Sequence, residues 1–179
     1  MKIAIIVGTR PEMIKMWSIL RELQERKLKY LFIHTGQHYS ANMNDVFFQS
    51  LQLPSPDYNL NVGSDTQGKQ IAIMMRKIGE ILSQEKPDVV MVQGDTNTVL
   101  AGSLAASKLA IKIAHVEAGL RSFDCTMPEE TNRIITDHVS DYLFVPTKIQ
   151  EQNLLYEGVL SEKIYVVGNS VADTLKSHL

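Results

Sequence analysis

The chain has 179 residues, of which 44% are hydrophobic and 21% charged, values typical of one globular domain. The formal net charge of −2 at pH 7 lacks the basic surplus of nucleic-acid-binding domains, so we expect no nucleic-acid partner. A single cysteine, Cys125, excludes an internal disulfide and fits a reducing compartment. The first apolar run, residues 3–7, is too short for a signal peptide or a membrane span, so we predict a cytoplasmic protein without a membrane partner.

Short apolar runs alternate with longer amphipathic segments along the chain. The runs that predict buried strands are residues 3–7, 31–33, 88–92, 112–116, 142–145 and 164–167. The segments that predict helices are residues 12–26, 69–85 and 96–109, and Pro128 predicts the start of another helix. Residues 53–65 predict a surface loop with one short strand near residues 58–60. This alternation predicts an α/β fold with a doubly wound parallel sheet.

Charged residues, hydroxyl residues and glycines follow four of the predicted strands. These segments are residues 8–12, 35–38, 93–97 and 117–121. The carboxyl ends of parallel strands lie at one edge of a sheet, which is where ligands bind in such folds. We therefore predict a binding site along this edge.

The first of these segments has the features of an anion site. Arg10 precedes Pro11, a typical first residue of a helix, and Lys15 follows about one turn later. A helix N-terminus and two cations suit a negatively charged group. The alternative is that Arg10 and Glu12 only cap the helix.

The acidic residues of the later segments also have two interpretations each. Asp95 is either a site residue or the N-cap of the following helix. Glu117 follows a buried strand directly, and Arg121 is a candidate ion-pair partner for it. Glu129 and Arg133 have the i,i+4 spacing of a surface ion pair.

Several classes of site lack their motifs. No Gly-x-Gly-x-x-Gly fingerprint follows the first strand, which disfavours a nicotinamide or flavin cofactor, and no Walker loop follows it, which disfavours a nucleoside-triphosphate site. No zinc-type spacing of His and Cys occurs, so we expect no metal. A serine hydrolase is disfavoured because no Gly-x-Ser-x-Gly elbow is present. His34 and His115 lie inside predicted strands and are expected to be buried core residues.

Six motifs, in order and with matching spacing, resemble the UDP-N-acetylglucosamine 2-epimerase family. They are residues 8–15 (GTRPEMIK), 35–38 (TGQH), 93–96 (QGDT), 115–121 (HVEAGLR), 128–133 (PEETNR) and 167–173 (VGNSVAD). The similarity runs from residue 3 to about residue 175.

The resemblance implies one Rossmann-like lobe of a glycosyltransferase-B-like fold. Residues 1–168 would form the N-terminal catalytic lobe, and residues 169–179 would begin the hinge or interdomain helix. The C-terminal lobe, absent from this sequence, holds most nucleotide contacts and a catalytic histidine in that family. We therefore expect this half alone to be inactive, and the full-length protein to be a homodimer like many family members.

The resemblance also implies an activity, namely non-hydrolysing inversion of C2 of UDP-N-acetylglucosamine to give UDP-N-acetylmannosamine. The reaction eliminates and re-adds UDP through a glucal intermediate, needs no cofactor, and supplies cell-surface polysaccharide synthesis. By this resemblance Asp95, Glu117 and Glu129 are the catalytic carboxylates. Substrate-binding or carboxylate-orienting roles fall to three cations, Arg10, Lys15 and Arg133.

Some bacterial members bind a second UDP-N-acetylglucosamine as an activator. Gln37, His38 and Gln70 resemble part of that allosteric site, whereas Ser40 and Lys69 differ from it.

Three other interpretations stay open. A hydrolysing 2-epimerase, which releases UDP and free N-acetylmannosamine, shares the fold and some of the motifs. A non-catalytic ligand-binding module would have little need for three carboxylates at strand ends. A glycosyltransferase would need an acceptor site, and no motif identifies one.

Overall fold

The structure, a computed structural model, describes residues 1–37 and 53–178. Within these ranges seven strands form one parallel sheet in the order β3-β2-β1-β4-β5-β6-β7. The strands are β1 (Lys2–Val7), β2 (Lys29–His34), β3 (Tyr58–Asn59), β4 (Val89–Gln93), β5 (Lys112–Val116), β6 (Tyr142–Val145) and β7 (Ile164–Val166). The strand order reverses between β1 and β4, as in doubly wound folds. The predicted α/β class and parallel sheet are confirmed.

The helices of the described residues connect these strands. They are α1 (Arg10–Glu25), α2 (Gln67–Glu85), α3 (Asn97–Lys108), α4 (Pro128–Val139), α5 (Lys148–Tyr156) and α6 (Ser170–His178), with a 3-10 turn at Ser161–Lys163. No helix in residues 1–37 and 53–178 has both the length and the apolarity needed to cross a membrane.

Helices cover both faces of the sheet, and alternate residues of β1 show why. Ala4 and Ile6 pack on one face in a cluster with Met74 of α2, while Ile5 packs on the other face with Met16 of α1. Side chains alternate between the two faces of a strand, so a continuous apolar run fills both layers. Burying each large aliphatic side chain contributes about 1.5–3 kcal/mol.

The last helix returns to the first. The Thr174 Oγ1 hydroxyl of α6 donates a hydrogen bond of 3.0 Å to the main-chain oxygen of Ile14 in α1. Residue 168, the predicted end of the lobe, lies between β7 and α6. The division of the chain at that point stays a prediction.

Candidate functional site

The loops that follow β1, β2, β4 and β5 are joined by backbone hydrogen bonds at the carboxyl edge of the sheet. The Thr35 amide donates to Val7 O at 2.8 Å, and the Gln37 amide donates to Gly8 O at 3.2 Å. The Gly94 amide donates to Val116 O at 3.1 Å. These bonds join the four polar segments of the sequence in two pairs, and the bond from Thr96 Oγ1 to Glu12 Oε1, of 2.7 Å, links the pairs along one edge.

A cavity of about 390 Å³ opens at this edge. Its lining includes Asp95 and Glu129, two of the three carboxylates predicted to be catalytic, together with Asp65. None of the described residues that line it is a lysine or an arginine. The same cavity therefore receives acidic groups from the loop after β4 and from the start of α4.

Three helices begin at this cavity. Gln67, Asn97 and Pro128 are the first residues of α2, α3 and α4, and all three line the cavity. A helix N-terminus carries partial positive charge and unpaired amide groups. The cavity can thus accept an anionic ligand despite its carboxylates.

Glu117, the third of these carboxylates, is not among the described residues that line the cavity; it lies next to Gly94, the residue before Asp95. Its Oε2 is 2.5 Å from Lys15 Nζ, and it also accepts a hydrogen bond from the Gln93 side chain. A Cβ added at Gly94 would lie 3.9 Å from that oxygen. The Glu117 backbone has a φ of 69°, in the left-handed region, which is unfavourable for a residue with a side chain. Such strain is typical of functional sites.

Asp95 is held by α4. Its Oδ2 is 2.5 Å from Arg133 Nη2, and Asn132 Nδ2 donates to its main-chain oxygen at 2.9 Å. Asp95 is not the N-cap of α3, so that interpretation was wrong. Thr96 caps the helix instead, accepting a hydrogen bond from the Val99 amide at 3.4 Å.

Glu129 is exposed at the first turn of α4 and faces the cavity. It makes no hydrogen bond or ion pair within the part of the chain that the structure describes. The expected i,i+4 pair does not form, because Arg133 turns towards Asp95 and, at 3.2 Å, towards Glu130. The Glu129 carboxylate is therefore accessible to a ligand.

Arg121 does not contact Glu117, so the candidate pairing was wrong. Its side chain is 1% exposed and pairs with Asp137 at 2.8 Å and with Glu157 at 2.6 Å. The turn after Glu117 directs Arg121 beneath α4, and Lys15 of α1 occupies the position beside Glu117.

Glu130 is a structural residue that the sequence did not single out. It is 2% exposed, and its carboxylate accepts hydrogen bonds from the amides of Ser122 and Phe123 at 3.0 and 2.9 Å. Burial raises the pKa of the Glu130 carboxyl, but the hydrogen bonds from the loop and the charge of Arg133 lower it by more. The pKa therefore lies below its ordinary value. Glu130 thus fixes the loop that precedes α4.

Arg10, the first residue of α1, is half-buried beside the residues that cap this helix. Glu12 Oε2 accepts hydrogen bonds from the amides of Gly8 and Thr9, and its Oε1 accepts one of 2.7 Å from Thr96 Oγ1. Burial raises the pKa of Glu12, and these bonds lower it in part. The capping interpretation holds for Glu12, which also ties the first loop to the loop that carries Asp95.

Gln37 and Gln70 both line the cavity and both are buried. Gln37 Oε1 accepts from the amide and the hydroxyl of Thr98, at 3.0 and 2.8 Å. Gln70 Nε2 donates to the main-chain oxygens of Gln37 and Gly63. Each side chain therefore stabilises the structure around the cavity through its hydrogen bonds. The predicted allosteric role of these residues stays a prediction. His38 lies outside the described residues.

The predicted core histidines are both buried. Burial lowers the pKa of His34, and a hydrogen bond with Asn59 offsets this in part. His115 is fully buried beneath the site. Among the described residues, no group of three or more His, Cys, Asp or Glu side chains is placed to hold a metal ion.

Comparison with known proteins assigns the family. The family model described as UDP-N-acetylglucosamine 2-epimerase matches residues 21–179. The chain belongs to the UDP-N-acetylglucosamine 2-epimerase family. The resemblance inferred from the six motifs is thereby confirmed.

Relatives in the epimerase family match this chain over 97–100% of its length. A UDP-N-acetylglucosamine 2-epimerase of Methanocaldococcus jannaschii is 58% identical over 179 residues, which are 100% of this chain and 49% of that protein. A UDP-2,3-diacetamido-2,3-dideoxy-D-glucuronate 2-epimerase of Pseudomonas aeruginosa is 48% identical over 177 residues, covering 97% of this chain and 50% of that protein. The chain thus spans about half the length of these epimerases.

Solved epimerase structures agree with the fold. The crystal structure of the Methanocaldococcus jannaschii UDP-GlcNAc 2-epimerase in complex with UDP-GlcNAc and UDP superposes with a TM-score of 0.97 and 58% identity, covering 100% of this chain and 49% of that chain. This agreement confirms the Rossmann-like lobe of a glycosyltransferase-B-like fold.

Proposed function

We propose that this chain is the carboxylate-bearing lobe of an enzyme that converts UDP-N-acetylglucosamine to UDP-N-acetylmannosamine. The observation that carries the proposal is the cavity where Asp95 and Glu129 meet three helix N-termini. Glu117 lies next to Gly94, the residue that leads into Asp95. Acidic groups suit proton transfer at a sugar carbon, and helix N-termini suit a diphosphate. The Methanocaldococcus jannaschii epimerase bound to UDP-GlcNAc and UDP supports the choice of substrate.

In the proposed reaction, the bond between C1 and the UDP oxygen breaks and its electron pair leaves with UDP. The C2 proton passes to a carboxylate, and the C2–H electron pair forms the C1=C2 bond of a glucal. A proton then returns to the opposite face of C2 while UDP re-adds at C1. Asp95, Glu117 and Glu129 are the proposed proton carriers.

The cations have two proposed tasks. Lys15 orients Glu117 and Arg133 orients Asp95, since each pair is separated by 2.5 Å. Arg10, at the N-terminus of α1, is proposed to meet the departing diphosphate and stabilise its charge.

The wider assignments are also proposals. By resemblance, residues 1–168 form the catalytic lobe, residues 169–179 begin the connection to a second lobe, and the intact protein is a homodimer. The proposed place of action is the cytoplasm, with which the exposed free thiol of Cys125 is compatible.

A uronate sugar nucleotide is the second candidate substrate, because the Pseudomonas aeruginosa relative is named as an epimerase of such a compound. The charge of the cavity disfavours it. The lining holds Asp65, Asp95 and Glu129 and no lysine or arginine among the described residues. The three helix N-termini can offset the charge of a diphosphate, but a further carboxylate on the sugar would add a negative charge beside these acids. The sugar of UDP-N-acetylglucosamine carries no charge and avoids this cost.

The test compares Glu117→Gln and Glu129→Gln with the matched control Glu80→Gln in the intact protein. Glu80 lies on α2, 57% exposed, in an i,i+4 ion pair with Arg76. Each site substitution should lower turnover by about 10²-fold or more, because a general acid or base contributes about 10²–10⁴-fold. The control should keep wild-type turnover, and all three variants should fold.

Product analysis in D2O completes the test. The proposed reaction predicts deuterium at C2 of both sugar nucleotides and UDP-N-acetylmannosamine as the product. Free N-acetylmannosamine with UDP would instead establish the hydrolysing type. Wild-type turnover in Glu117→Gln, or faster reaction of the uronate sugar nucleotide, would contradict the proposal.

A further inference from the structure

His115 lies at the centre of a buried polar cluster directly beneath the site. It is the fourth residue of β5, and its side chain is 1% exposed. Its Nδ1 is 2.6 Å from Asp137 Oδ1 of α4, and its Nε2 is 2.7 Å from the main-chain oxygen of Gly94. The ring therefore connects α4 with the turn that carries Asp95.

Both contacts of the ring are with hydrogen-bond acceptors. A main-chain oxygen has no proton to donate, and neither has an ionised carboxylate. A neutral imidazole has one donor nitrogen only, so one of the two short contacts would face two lone pairs. Only the doubly protonated ring donates to Asp137 and to Gly94 together.

Asp137 is the ionised partner in this arrangement. Its Oδ2 already accepts hydrogen bonds from the Gly119 amide at 3.1 Å and from Arg121 Nη1 at 2.8 Å. Arg121 is always protonated, and its guanidinium faces this buried carboxylate directly. These contacts favour the ionised form of Asp137, which accepts a hydrogen bond from His115.

The charges of the cluster balance. Arg121 also contacts Glu157, so two cations, His115 and Arg121, face two carboxylates, Asp137 and Glu157. His138 touches Glu157 at 3.2 Å from an exposed position, with 43% of its side chain accessible. A buried ion cluster is tolerable when each charge has an opposite partner and further hydrogen bonds.

We propose that His115 is a buried imidazolium that positions the Asp95 turn for proton transfer. Gly94 has a φ of 84°, so its backbone is in the left-handed region, where L-residues with side chains rarely occur. Its amide is bonded to Val116 O and its oxygen to His115, which fixes the peptide that leads into Asp95. This role rests on the proposed function of Asp95.

The first test measures the protonation state of the His115 ring by NMR. With ¹⁵N-labelled histidine, both His115 nitrogens should show the protonated imidazolium signature in the folded protein at neutral pH, because both face hydrogen-bond acceptors. The signal is assigned by its loss in His115→Gln. A neutral tautomer of His115 in the folded protein would overturn the proposal.

The second test measures amide hydrogen exchange at the turn formed by Gly94 and Asp95. The Gly94 amide donates to Val116 O at 3.1 Å, and in His115→Gln its hydrogen exchange should quicken about tenfold or more, because the charge-assisted bond that holds the Gly94 oxygen is lost. The Phe32 amide of β2 serves as the internal reference. His138→Gln, the same change at the exposed histidine, should leave the Gly94 amide at the wild-type rate. An unchanged Gly94 rate in His115→Gln would overturn the proposal.

The third test uses turnover by the intact enzyme. His115→Gln should lower kcat about tenfold or more with little change in KM, because Asp95 is misplaced while the substrate contacts stay. An unchanged kcat would overturn the positioning role. Absence of epimerisation by the wild-type enzyme would instead reject the proposed function, and the ring and turn measurements would still decide whether His115 is charged and holds the loop.

Discussion

Glu117 has the least favourable backbone of the proposed catalytic carboxylates. A φ in the left-handed region costs a residue such as glutamate about 1–3 kcal/mol. Lys15 and Gln93 hold its side chain, so the conformation directs the carboxylate to the edge of the sheet where the cavity opens. A glycine would suit this backbone better, and the presence of an acidic residue is consistent with a chemical role.

Asp137 makes the stability of the protein depend on pH in the acid range. Its pKa is lowered from the ordinary value of 3.8, so the unfolded chain binds a proton more readily than the folded one. The stabilisation is fully present above about pH 4–5 and is lost as the pH falls through the folded pKa. Protonation also leaves His115 and Arg121 without their shared counterion.

We therefore predict that the free energy of unfolding falls as the pH is lowered from 5 to about 3, and that Asp137→Asn flattens this dependence. At pH 7 the variant should be less stable by about 3–5 kcal/mol, the cost of breaking a buried ion pair. Urea denaturation at a series of pH values measures both effects. Equal pH dependence in the wild type and Asp137→Asn would contradict the assignment.

At the scale of the elements, α4 begins without a side-chain cap. Met127 occupies the N-cap position and makes no capping hydrogen bond, whereas Thr147 caps α5 by accepting from the Ile149 amide at 3.2 Å. The helix that presents Glu129 to the cavity therefore starts from an incompletely bonded turn.

Met127→Ser should stabilise the protein by about 0.5–1 kcal/mol, because serine can accept a hydrogen bond from a free amide of the first turn. Thr147→Ala is the reciprocal control and should destabilise by about the same amount. Thermal unfolding of both variants measures the two shifts. A lower melting temperature for Met127→Ser would show that the methionine contributes more through packing than the missing bond costs.

Sequence patterns located most elements, since buried parallel strands are continuous apolar runs and Pro128 predicts a helix start. Helix α5 was not predicted, because only Leu154 of its residues is buried and its pattern is correspondingly weak. For the contacts within the site, the sequence predicted carboxylate-orienting roles for Lys15 and Arg133 but left the partner of each open. Lys15 and Glu117 are 102 residues apart, and Asp95 and Arg133 are 38 apart, so only the folded sheet reveals which cation meets which carboxylate.

At the scale of the whole molecule, the length of the chain relative to its relatives determines which parts of the proposed catalytic site it contains. It spans about half of its epimerase relatives, and apolar residues at the β6–β7 side of the sheet are exposed, including Tyr165 at 42% and Val167 at 60%. We propose that a second lobe of the intact protein supplies most nucleotide contacts and a catalytic histidine, as the family resemblance implies.

We predict that the 179-residue chain alone forms no UDP-N-acetylmannosamine above background, whereas a protein containing both lobes does. The reason is that positioning of the substrate can contribute about 7–11 kcal/mol to the rate and requires the nucleotide to be held. A chromatographic assay of both proteins with UDP-N-acetylglucosamine measures the difference. Turnover by the single lobe would place every required group within this chain.

Cys125 gives this protein a built-in attachment point for a reporter. It is the one cysteine of the sequence, and it is exposed in the loop that leads into α4. A maleimide fluorophore would therefore label a single atom of this 179-residue chain, three residues before the helix that begins at Pro128. Changes in its emission would follow events at the cavity in real time without any engineered substitution.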